Sequence, residues 1–98
     1  MDRELLELAA KACGLEEAKM RIEFNQWNPL IDDGDALRLA VKLRIDLRNF
    51  HSNEVSAQFK LHDQPGWQEH SEDREADPYA ATRRAITRAA AEIGRGMK

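Results

Sequence analysis

The sequence predicts an α+β domain: a three-stranded, mainly antiparallel sheet packed with three helices in the order α-β-α-β-β-α, as a layered α/β sandwich. Three observations carry this expectation. Three segments repeat apolar residues at the helical period between start and stop signals. Three shorter segments alternate apolar and polar residues, the period of a strand packed on one face. Two of those strands are separated only by a short polar break, which makes a hairpin.

In the first helix Asp2 serves as the cap, and Leu5, Leu8, Ala9 and Ala12, flanked by Leu6 and Cys13, recur at helical spacing until Gly14 ends the run. From Met20 the pattern changes: Met20, Ile22 and Phe24 alternate with Arg21, Glu23 and Asn25, which predicts the first strand. Trp27-Asn28-Pro29-Leu30 breaks it, because Pro29 has no N–H for a ladder and holds Asn28 extended. Asp32-Asp33-Gly34-Asp35 then supplies a turn and a helix start, since carboxylates there accept from free N–H groups. The second helix is expected from about Asp35 to Leu43, with Ala36, Leu37, Ala40, Val41 and Leu43 as its apolar stripe and Arg38 and Lys42 on the wet side.

Ile45 and Leu47 alternate with Asp46 and Arg48; after His51-Ser52-Asn53 the residues Val55, Ala57, Phe59 and Leu61 alternate in turn, giving the hairpin. Residues 62–77 lose all periodicity and gather Asp63, Glu69, Glu72, Asp73, Glu75 and Asp77 against the single Arg74, which predicts a long, acidic, mobile loop. Asp77-Pro78 is the sharpest boundary, a capping carboxylate followed by proline at the first helical position. The last helix carries Tyr79, Ile86, Ala89, Ala90 and Ile93 on its inner stripe and ends near Gly94 and Gly96.

Ninety-eight residues suit one domain, 1–98, and 42% hydrophobic with 34% charged residues is a folding composition rather than a disordered one. A net charge of −3 provides no global field for nucleic acid or an anionic membrane. No apolar run reaches the roughly 20 residues of a membrane span and no leader pattern opens the chain, so a cytoplasmic protein is expected, as monomer or homodimer. Cys13 is the lone cysteine, which excludes an internal disulfide and a thiolate zinc cluster.

Three blocks, Leu5 to Gly14 (LLELAAKACG), Trp27 to Leu43 (WNPLIDDGDALRLAVKL) and Asp77 to Gly94 (DPYAATRRAITRAAAEIG), together resemble the small phage and prophage proteins of the phage ABA sandwich domain family. The resemblance covers nearly half of the chain and is carried by the combination of blocks. It implies an α-β-α layered fold and a phage-encoded accessory product, and it assigns no activity. The stretch between Arg44 and Ala76 lies outside the resemblance and is where a function particular to this chain is expected.

Candidate chemistry is sparse. Asp32, Asp33 and Asp35 are hard-cation ligands by type, but they stop at a helix start without the alternating ligands of a calcium loop, so capping is expected and no metal. His62, Asp63, His70, Glu72 and Asp73 lack the short fixed spacing that preforms a metal site, and His51 has no nucleophile or carboxylate placed beside it. Ser52, Ser56, Ser71, Thr82 and Thr87 sit in no activating motif. The expectation is a protein that is not an enzyme and needs no cofactor. Trp27 reads as packing. Trp67, in Gln64-Pro65-Gly66-Trp67-Gln68, either folds back on the sheet or anchors a partner, together with Glu69, Glu72, Asp73 and Glu75. The first functional expectation is therefore a binding protein directed at a host or phage protein, including a host-defence complex such as a CRISPR effector. The alternative is nucleic-acid binding through Arg84, Arg88 and Arg95 on the last helix, weighed against their pairing with the acidic segment.

Overall fold

The structure is a computed structural model and describes residues 2–49, 53–73 and 76–97. Among these the chain forms four helices and three strands: α1 (Asp2–Cys13), α2 (Ala18–Glu23), α3 (Asp33–Leu43), β1 (Asp46–Asn49), β2 (Glu54–Lys60), β3 (Trp67–Asp73) and α4 (Pro78–Arg95). The strands make one antiparallel sheet in the order β1-β2-β3, so the α+β class and the three-stranded sheet stand. The expectations for His51, Ser52, Arg74 and Glu75 fall outside the described residues.

Helix ends follow local rules. Three helices close with the paired bonds of a Schellman motif around a left-handed residue: Gly14 (φ 69), Asn25 (φ 58) and Arg44 (φ 56). After α1, for example, Leu15 N–H donates to the Ala10 carbonyl at 3.0 Å and Gly14 N–H to that of Lys11 at 3.2 Å. Gly14 suits this backbone and Asn25 tolerates it; Arg44 takes it against its Cβ. At the other ends, Asp32 caps α3 by accepting from Gly34 N–H, and Asp77 caps α4 by accepting from Tyr79 and Ala80 N–H at 3.1 Å each.

Packing centres on α4. Its Ala81, Ala85, Ile86, Ala89 and Ala90 are buried, and it touches β2 and β3 on one side and α1 and α3 on others. Alanines permit this close approach. Leu6, Ala9 and Ala10 of α1 and Leu39 and Ala40 of α3 fill the space on the helix side, while Val55, Ala57 and Phe59 of β2 close it from the sheet. At the α1–α4 crossing Gly94 lies so near the Leu8 backbone that a Cβ there would stand 2.0 Å from the Leu8 carbonyl oxygen.

The sequence reading needs four corrections. Residues 20–25 are not a strand: residues 18–23 are helical, Met20 and Phe24 are exposed, and Ala18 and Ile22, one helical turn apart, pack on the core instead. Segment 62–77 is not all loop, because residues 67–73 form the third strand. The inner stripe of α3 is Ala36, Leu39 and Ala40, while Leu37 (61% exposed) and Val41 (70%) face outward. Tyr79, at 72% exposed, is not part of the inner stripe of α4. The resulting order is α-α-α-β-β-β-α. The layers differ from the α-β-α implied by the resemblance: helix α4 covers one face of the sheet, and the described residues of the other face are mostly exposed.

Candidate functional site on the outer strand

The β2–β3 register sorts the residues of β3 between two environments. Gln68, His70 and Glu72, opposite Phe59, Ala57 and Val55, point toward α4; Trp67, Glu69, Ser71 and Asp73, opposite Lys60, Gln58, Ser56 and Glu54, point to the uncovered face. Apart from Trp67, both rows are polar. β3 forms because its backbone pairs with β2 along its whole length and because α4 supplies charges, not apolar surface, to its inner row.

Glu72 is the centre of that inner contact. Its side chain is 11% exposed; Arg84 Nε donates to Oε1 at 3.2 Å, Arg88 Nη1 donates to Oε2 at 2.7 Å, and His70 Nε2 lies 2.5 Å from Oε2. Arg84 and Arg88 are one helical turn apart, so one carboxylate meets both. Burial pushes the Glu72 carboxyl up, but the hydrogen bonds from His70 and Arg84 and the charge and hydrogen bond of Arg88 outweigh it and hold the group below the ordinary carboxylate range. Glu72 is thus a charged bridge between strand and helix. The same bond set engages two of the three arginines named for nucleic acid; the third, Arg95, is paired with Glu92. All three guanidinium groups thus have a carboxylate beside them that offsets their charge.

The outer face is different. Trp67 is 54% exposed, with Lys60 Nζ 5.1 Å from its ring centroid, a cation–π contact that steadies the indole without covering it. Ser56 is buried and its hydroxyl donates to Glu69 Oε1 at 2.5 Å. The face as a whole carries Asp46, Glu54, Glu69 and Asp73 against Arg48 and Lys60, a net acidic surface on which Lys60 and Glu69 are the charges beside Trp67 and the Glu54–Asp73 pair lies at the far end of the strands. Of the five residues named as a partner surface, Trp67, Glu69 and Asp73 share this face, Glu72 lies behind it, and Glu75 is outside the described residues.

The acidic residues before α3 each serve the fold. Asp32 caps the helix; Asp33 Oδ1 accepts from Arg83 Nη1 at 2.7 Å; Asp35 accepts from Asn28 N–H at 2.9 Å and from Arg38 at 2.8 Å. With Arg83 Nε donating to the Leu30 carbonyl at 2.9 Å, these bonds fasten the Trp27–Leu30 turn, where Trp27 and Pro29 are buried, to α3 and α4. Cys13 is half-buried and burial raises its thiol pKa, which disfavours the nucleophilic thiolate. Among the described residues no group of three or more His, Cys, Asp or Glu is set to hold a metal, and no helix is long and apolar enough to cross a membrane.

A second surface escaped the sequence reading. Leu37 of α3, Leu47 of β1 and Tyr79 of α4 line an open groove of about 430 Å³. The signal was present: Ala36, Leu37, Leu39, Ala40, Val41 and Leu43 spread over more than the one face that a helix buries in its own core. Comparison of the chain with protein-family models, with curated proteins and with solved structures finds no match.

Proposed function

We propose that this protein acts by binding, and that it takes a partner protein with a basic surface on the uncovered face of its sheet, around Trp67. The observation that carries this reading is a large aromatic side chain left half in water on a sheet face that no helix among the described residues covers, with Glu69 two positions along the strand and Glu54 and Asp73 farther along the same face. Aromatic anchors within a charged rim are the usual source of interface energy. The resemblance of three sequence blocks to phage ABA sandwich proteins supports a phage- or prophage-encoded accessory role. An acidic face that competes for a nucleic-acid-binding surface is one form of such a role, with a host defence complex such as a CRISPR effector as the target class. The nucleic-acid alternative is disfavoured because Arg84, Arg88 and Arg95 already face carboxylates.

The test is affinity capture from bacterial lysate with the wild type, Trp67→Ala and Glu69→Lys. A specific partner whose recovery falls about tenfold or more in both variants is expected. Equal recovery in all three would overturn the reading, and a salt-dependent shift of labelled DNA or RNA would replace it with the alternative.

A further inference from the structure

Among the described residues β1 pairs with β2 on one side only, and beside its other edge lies the open groove of Leu37, Leu47 and Tyr79. One helical turn beyond Leu37, Val41 extends the same exposed apolar face of α3. Apolar exposure next to a free strand edge is the situation that folded monomers avoid, by charge, proline or a covering element.

We propose that this edge pairs with the same edge of a second copy of the chain, antiparallel about Leu47, joining two three-stranded sheets into one. The strand's own charges select the register. In a two-fold antiparallel pair, residues directly opposite one another point to the same face, so the centre of symmetry falls on a single residue position. Centred on Asp46, the pair opposes two carboxylates; centred on Arg48, two guanidinium groups. Centred on Leu47, it sets Asp46 opposite Arg48 twice on the outer face and Leu47 against Leu47 on the helix side. Of the registers centred on Asp46, Leu47 or Arg48, only that one is free of like-charge opposition. Three residue pairs bury too little for a stable dimer, which needs about 1,200 Å² or more. Leu37 and Tyr79, which line the groove beside that edge, and Val41 one turn farther along α3 supply the additional apolar surface.

The test is sedimentation velocity of the full chain over a concentration series, with Asp46→Arg, Arg48→Asp and the double swap. The wild type is expected at twice the 11.2 kDa of one chain. Each single swap sets like charges opposite one another at both symmetry-related pairs and is expected to raise the dissociation constant about tenfold. The double swap exchanges the charges and is expected to restore it. A species of 11.2 kDa at every concentration overturns the proposal, as does a dimer indifferent to the single swaps or one that the double swap leaves weakened. Should a single swap lose its far-UV circular dichroism, Leu37→Asp with Val41→Asp takes its place; those side chains are exposed in one copy, and an unweakened dimer in that variant is equally fatal.

Discussion

Replacing Gly94 with alanine sets two effects of opposite sign against each other. In an isolated helix the change stabilises by about 0.8–1 kcal/mol, because glycine gives up more backbone freedom on folding. In this fold the new methyl group would stand 2.0 Å from the Leu8 carbonyl oxygen and 2.9 Å from its carbon. Ordinary contact is roughly 3.4 Å, and the obstructing atoms are backbone, so no rotamer change relieves the clash. Helices α1 and α4 must part by about 1 Å or more, along a seam where Ala9, Ala10, Ala89 and Ala90 have no exposed surface. A gap of that size forfeits about a quarter to a half of the dispersion energy across it. Overpacking against an immobile neighbour belongs at the upper end of the usual range, about 3 kcal/mol, which leaves a net loss of about 2 kcal/mol. For a chain of this length that lowers the thermal midpoint by about 8–16 °C. Thermal unfolding followed by far-UV circular dichroism measures it. Gly96→Ala is the control, since its Cβ would meet nothing closer than 3.7 Å. A Gly94→Ala protein as stable as the wild type would show that the helices do not cross as closely as described.

Two further substitutions probe the charged bridge and a strained helix end. The folded pKa of Glu72 lies below its ordinary value of 4.5, so its ionised form contributes stability that is present above about pH 4.5 and is lost as the pH falls through the folded pKa. Glu72→Gln is therefore expected to cost about 1–3 kcal/mol at pH 7, with the gap to the wild type narrowing on acidification below pH 4.5; thermal midpoints against pH measure it, and a constant gap refutes the bridge. Arg44 holds φ 56 at the end of α3, so Arg44→Gly is expected to stabilise by about 0.5–1 kcal/mol, read as a rise of several degrees in the thermal midpoint, and a fall would show that the Arg44 side chain contributes more than its backbone costs.

Where the chain carries an unambiguous local signal, the sequence sufficed. Gly14 ends α1, Asp32 and Asp77 cap their helices, and the alternation of Val55, Ala57 and Phe59 marks β2, because each of those residues acts on its own immediate backbone or one buried face. The failures share one cause, that the deciding neighbour is far away in sequence. β3 reads as loop because its inner row is Gln68, His70 and Glu72; only Arg84 and Arg88, on another element, make that row a packed face. Residues 20–25 alternate like a strand, but Ala18 and Ile22, one turn apart, are the pair that meets the core. Trp67 was legible as an anchor candidate; that Glu72 sits behind it, bound to α4, was not, since opposite faces of a strand look alike until it is recognised as one.

Helix α4 is the shared neighbour of α1, α3, β2 and β3, yet it follows all of them along the chain. During synthesis, then, the alanine face of α1 and the Val55–Phe59 row emerge before the helix that covers them both. An interruption before Pro78 leaves a fragment without the helix that its core closes on, rather than a smaller working protein.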